Sequence, residues 1–127
     1  MTTRILIADD HEIMRKALRN LITSHPGWHV CAEARDGREA VAQVKELHPD
    51  LIVLDLAMPV MDGMCAAREI NGALPDTPMI LFTLHASPEI EEEAKKAGIS
   101  RVVSKAKDGE HLIAAIEQAL CDSRFAD

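Results

Sequence analysis

Asp55 follows four consecutive apolar residues, Leu51, Ile52, Val53 and Leu54, and precedes a turn marked by Pro59 and Gly63. Two more acids, Asp9 and Asp10, follow a second apolar run (RILIA, 4–8); Thr83 closes a third (MILFT, 79–83), and Lys105 follows a fourth (RVVS, 101–104). Three carboxylates, a hydroxyl and an ammonium group therefore share one kind of position, the end of a buried run. If such carboxylates approach to about 5 Å, each pair repels by roughly 3 kcal/mol at an effective dielectric of 20. Lys105 offsets one charge. A hard divalent cation offsets more, and an all-oxygen site with room for water suits Mg²⁺. A carboxylate beside such a cation, a lysine and a hydroxyl is placed to receive a phosphoryl group. Asp55 attacks, the cation and Lys105 neutralise the transferring oxygens, and Thr83 hydrogen-bonds the product.

The elements that must position these groups are legible from the periodicity. Short continuous apolar runs are the pattern of strands covered on both faces. A further strand is read over 28–34, less regular because His29 and Glu33 interrupt it. Between the runs the spacing becomes helical: Ile13, Met14, Ala17, Leu18, Leu21 and Ile22 form one inward stripe, stopped by Ser24-His25-Pro26-Gly27. Asp36-Gly37 opens a second helix, ending before Pro49, and Asp62 or Gly63 opens a third, through about Leu74. Ser87-Pro88 is a strong start for a fourth. That helix is mostly polar, with Glu91 set to pair with Lys95 and Glu92 with Lys96, and its thin apolar side predicts weak anchoring. Asp108 caps a fifth with Leu112, Ile113, Ile116 and Leu120 inward, and six methionines at scattered positions read as gap filling. Five strands alternating with five helices predict a doubly wound α/β domain, a parallel flavodoxin-like sheet of order 2-1-3-4-5. Ligands bind such sheets at the carboxyl ends of the strands, where Asp9, Asp10, Asp55, Thr83 and Lys105 all fall.

Composition narrows the function classes. The 127 residues suit one domain, and Cys31, Cys65 and Cys121 are far apart, odd in number and without a CxxC, which argues against a disulfide framework or zinc site. A net charge of −7 with scattered basic residues argues against nucleic-acid binding by this domain alone, and two Phe, one Trp and no Tyr offer no platform for stacking bases. Neither a signal peptide nor a membrane span is visible, so the expectation is a soluble chain in a reducing cytoplasm.

The acidic pair Asp9-Asp10, DLAMPVMDG around Asp55, LFT ending at Thr83 and SK ending at Lys105 stand in an order and spacing that resemble a response-regulator receiver domain of two-component signalling. The resemblance covers essentially the whole chain. It implies a CheY-like fold, Asp55 as phosphoacceptor, and Mg²⁺ held by Asp10, Asp55 and the main-chain carbonyl of Ala57, with Asp9 supporting it through water. Thr83 and Lys105 contact the phosphoryl group by the same resemblance, the donor is a sensor histidine kinase, and the output is a changed protein surface, including a homodimer interface. DDHEIMRKALRNLI and LFTLH further resemble the LuxR/NarL-type subfamily, usually fused to a helix-turn-helix DNA-binding domain that controls transcription. CDSRFAD, 121–127, resembles the start of a linker to such a domain. Departures from the family pattern are Val102 where an aromatic residue is frequent, Ala106 where proline is frequent, and Ala57 and His85 beside the phosphoryl position.

Two other classes compete. An interaction module on the same fold would not need the intact set of acids, hydroxyl and lysine. A phosphohydrolase of the aspartyl-phosphate kind needs a second acid two residues after the nucleophile, where this chain has Ala57. A flavin carrier is weaker again, because DDHE after the first run offers acids where a flavin phosphate needs donors.

Overall fold

A computed structural model describes residues 2–125, with the side chains of 123–125 left aside. In chain order the elements are β1 (Thr3–Ala8), α1 (Glu12–Thr23), β2 (Trp28–Ala34), α2 (Gly37–Leu47), β3 (Leu51–Leu54), α3 (Gly63–Ala73), β4 (Met79–Thr83), α4 (Pro88–Lys96), β5 (Arg101–Ser104) and α5 (Gly109–Phe125). All strand pairs are parallel and the order is β2-β1-β3-β4-β5, as the alternation predicts. α5 runs on to Phe125, so 121–125 continues a helix, while 126–127 and Met1 lie outside the described residues.

Period-two alternation divides the core. Ile5 and Ile7, Leu51 and Val53, and Ile80 and Phe82 pack with Leu18, Ile22, Leu112 and Ile116, which places α1 and α5 on one face. Leu6 and Ala8, Ile52 and Leu54, and Met79 and Leu81 pack with Val41, Val44, Ile70 and Ala94, which places α2, α3 and α4 on the other. Both sets of side chains are buried, which is why these strands read as unbroken apolar runs. Edge strand β2 reads differently. A register shift opposite Ile5/Leu6 leaves Cys31 unmatched. Glu33 leaves the strand to meet Arg15 (3.4 Å) and Arg19, so its charge is paired rather than buried alone. Of the methionines, Met58, Met64 and Met79 are buried and Met14 and Met61 pack at the margins of the core.

The predicted stripe of α1 is too wide. Leu18 and Ile22 are buried and Met14 and Leu21 pack beside them, but Ala17 is exposed and Ile13 is 86% exposed. Residues 13 and 17 share an i,i+4 row at the margin of the stripe, beyond the reach of the sheet. On α4, Glu91–Lys95 and Glu92–Lys96 are absent from the ion pairs among the described residues. Exposed pairs of this kind contribute only about 0.2–0.5 kcal/mol, too little to hold two long side chains in one geometry. The weak anchoring is present: Ala94 is the buried residue of that helix, with Ile90 packed at the margin.

Candidate functional site

Register brings the acids together. Ala8 pairs with Leu54, and the Asp55 amide donates to the Ala8 carbonyl (2.9 Å), so Asp9 and Asp55 leave adjacent strands side by side. Asp9 has the parity of Ile5 and Ile7, and Asp55 that of Leu51 and Val53, so both belong to the α1/α5 face. Lys105 continues the parity of Val103 on β5 and reaches across β4 to Asp55 at the end of β3 and on to Asp9 at the end of β1. Its Nζ lies 2.7 Å from Asp9 Oδ2 and 3.2 Å from Asp55 Oδ2. Asp9 and Asp55 are 1% and 5% exposed. Asp10 turns outward to a more exposed position.

The electrostatics follow from this burial. Desolvation, reinforced by the Asp9 charge, raises the Asp55 pKa above the ordinary carboxylate value despite the opposing pull of Lys105. Desolvation alone would lower the Lys105 pKa. The hydrogen bonds to Asp9 and Asp55 and the charges of both acids together exceed it and raise the value. The ammonium therefore stays charged between two carboxylates and cannot neutralise both.

The loop after β3 is held by close backbone approach. Asp62 caps α3, accepting from the Cys65 amide (2.8 Å), and the Gly63 amide donates to the Leu56 carbonyl (2.8 Å). A Cβ on Gly63 would stand 2.1 Å from the Asp55 carbonyl oxygen, so only glycine lets α3 begin against the strand that carries the acid. Val60 in this loop has φ 69, a left-handed conformation costly for a β-branched residue.

Thr83 reaches the same edge with the opposite parity, that of Met79 and Leu81. It is buried, and its Oγ1 accepts the His85 amide at 3.1 Å. Among the groups sought from sequence, Asp9, Asp55 and Lys105 are joined directly, Asp10 stands beside them, and Thr83 is turned away at the base of the β4–α4 loop. Ala57 lies in the loop immediately beyond Asp55.

A cavity of about 390 Å³ opens over Asp55, lined by His11, Ile13, Met14, Ala57, Leu84, His85 and Lys105. Its apolar wall was missed by sequence reasoning. Ile13 read as core, and Leu84, 70% exposed, stands between Thr83 and His85, which draw attention by their polar chemistry alone. The available signal was adjacency, since each apolar residue lies within four positions of a proposed site residue.

The donor set fits a hard divalent cation. One ligand atom from each of Asp9, Asp10, His11 and Asp55 lies within 4.8 Å of the others, and octahedral Mg²⁺ sets opposite donors about 4.2 Å apart. Two buried carboxylates sharing one ammonium leave negative charge for the cation to balance. His11 is exposed, as expected for a rim histidine, but its Nδ1 lies 3.2 Å from Asp9 Oδ1 and 3.1 Å from Asp10 Oδ1. Among the described residues no helix is long and apolar enough to cross a membrane.

Comparison with known proteins places this geometry. The response regulator receiver domain family model matches residues 5–117. The chain is 36% identical over 118 residues to the chemotaxis protein CheY of Thermotoga maritima, covering 93% of this chain and 98% of that protein. It is 39% identical over 122 residues to a protein-glutamate methylesterase/protein-glutamine glutaminase of Methanosarcina mazei, covering 94% of this chain but only 33% of that protein. The chain thus spans about a third or less of the methylesterase relatives it matches. Among solved structures, a LuxR-family two-component response regulator from Aurantimonas superposes with a TM-score of 0.92 at 38% identity, covering 96% of this chain and 87% of that one.

Proposed function

The chain belongs to the response-regulator receiver-domain family, and from that premise we propose that it is a phosphorylation-controlled switch in which Asp55 accepts a phosphoryl group from a sensor histidine kinase. The observation that carries the proposal is the buried pair Asp9 and Asp55 bridged by Lys105 beneath an open cavity. Asp10, Asp55 and the Ala57 carbonyl would hold Mg²⁺, with Asp9 behind them. When bound, the cation supplies charge neutralisation for the phosphoryl oxygens. Asp55 presents its carboxylate to phosphorus, while Lys105, held beside it by Asp9, is within a short shift of the incoming oxygens.

The phosphoryl group carries about −1.5 to −2 charge, and because the Asp55 carboxylate gives up its own negative charge in the new bond, the net gain beside Asp9 is roughly −0.5 to −1. Lys105 would shift from the two carboxylates toward the new oxygens, and the Thr83 hydroxyl would exchange the His85 amide for one of them. Both changes pull on the loops that flank α4. Reversing a 1:99 population takes about 5.5 kcal/mol of differential binding, within reach of several charge-assisted hydrogen bonds at about 1.5–3 kcal/mol each. The weakly anchored α4 is the element free to follow. Likeness to a LuxR-family regulator supports transcription control as the output, through an attached DNA-binding domain and homodimerisation on phosphorylation, in the cytoplasm.

The test is intact-mass measurement after incubation with Mg²⁺ and acetyl phosphate. One hydroxylamine-labile phosphoryl adduct is expected, absent from Asp55→Asn and from protein in chelator. An adduct of equal yield in Asp55→Asn would sink the assignment.

A further inference from the structure

The apolar wall of the Asp55 cavity has no part in positioning the acids, the lysine or a cation. Ile13 from the first turn of α1 and Leu84 after β4 are 86% and 70% exposed, and Met14, packed at the margin of the core, lines the same cavity. Burial in the fold accounts for neither of the two exposed side chains. Their location points to a ligand. Phosphoryl transfer proceeds roughly in line, so the leaving group departs on the side of phosphorus opposite the attacking Asp55 oxygen. That side is the mouth of the cavity, because Asp55 and Lys105 are nearly inaccessible at its base while Ile13 and Leu84 stand at its rim.

Resting on the phosphoacceptor reading, we propose that the cavity selects its small-molecule donors by the leaving group, favouring acyl phosphates with an apolar chain of three or four carbons over acetyl phosphate. Charge complementarity fixes the orientation: Lys105 draws the dianionic phosphoryl end inward, leaving the acyl end against Ile13, Met14 and Leu84. Ala57, with only a methyl group, leaves the space beside Asp55 open. An Asp55 oxygen forms the new P–O bond as the bond from phosphorus to the acyl oxygen breaks. The bonding pair leaves on the carboxylate product, and no proton is gained or lost. A cavity of about 390 Å³ holds a butyryl phosphate with space for water.

Each methylene fully removed from water contributes roughly fourfold in binding. Butyryl phosphate should therefore exceed acetyl phosphate by about five- to fifteen-fold in the second-order rate of Asp55 labelling, after normalising to the uncatalysed reactivity of each donor. Rates are measured by intact mass with Mg²⁺ at donor concentrations below saturation, with Asp55→Asn as the blank. Ile13→Ser combined with Leu84→Ser should bring the ratio near one, and Ile13→Leu combined with Leu84→Met should keep it, with thermal melting confirming that both variants fold. A ratio near one in the unmodified chain, or a preference surviving in the serine variant, overturns the inference and leaves the wall to a protein partner. Labelling by neither donor, with Asp55 still phosphorylated by a histidine-kinase donor, would overturn this inference alone, and labelling by none of the three would overturn the phosphoacceptor reading itself.

Discussion

At Asp55 the requirements of chemistry and of folding oppose each other. The carboxylate is buried beside Asp9 and shares one ammonium with it, so its proton is bound more tightly in the folded chain than in the unfolded one. The sign follows by linkage. Between the ordinary carboxylate value and the raised folded one, the folded state holds more protons, so its stability falls as pH rises through that window. Asp55→Asn keeps the shape and removes the charge. In metal-free protein it should be more stable than the parent by about 1 kcal/mol at pH 7, the residue of a larger repulsion partly balanced by Lys105. The difference should shrink as pH falls toward 4, as urea denaturation of both proteins in chelator would show. A parent that is the more stable of the two at pH 7 would mean that the Lys105 pair outweighs burial. Asp9, Asp55 and Lys105 were legible because each ends an apolar run, where a charge has few other reasons to stand. The direction of Thr83 was legible too, had parity been counted: 83 follows 79 and 81, whereas 105 follows 103.

At the scale of elements, sequence pattern specifies strands more sharply than helix faces. A strand buried on both sides leaves no choice of side, and the predicted runs became β1, β3, β4 and β5. The face of a helix depends on how far the sheet extends beneath it, and no local pattern carries that information. Ile13 misled for this reason: its spacing is that of a core residue, but the first turn of α1 overhangs the strand ends. α4 shows the opposite case, where composition sufficed. Its N-terminus is well made, with Ser87 accepting the Ile90 amide (3.1 Å) and Pro88 in the first turn, yet Ala94 is its buried residue. Stability of such an element rests on its cap. Ser87→Ala should cost about 1 kcal/mol locally, read as roughly fivefold faster amide exchange from Glu91 to Ala97 with little change in β1 or β3. Equal acceleration throughout the sheet would show α4 to be part of the global unfolding unit instead of a separately mobile one.

For the whole molecule, the carboxyl edge of the sheet concentrates negative charge in a chain that already carries −7, and a divalent cation is the means of offsetting it. Binding to the folded state alone stabilises by about 2.7 kcal/mol at one hundred times Kd, or roughly 10 °C in Tm for a domain of this size. The proton on Asp55 competes with the cation for the same oxygens. Since burial raises the Asp55 pKa, the competition extends to higher pH than for an ordinary carboxylate. The Mg²⁺-induced rise in Tm should therefore be larger at pH 8 than at pH 5, grow with Mg²⁺ concentration, and be largely lost in Asp10→Asn and Asp55→Asn. Calorimetric scans across that matrix separate site binding from general screening of the acidic surface. Screening alone would raise all three proteins alike and would be matched by a monovalent salt of equal ionic strength. A rise specific to the parent chain would tie the metal and the fold to Asp55 and the more exposed Asp10 beside it, with the proton competing at Asp55.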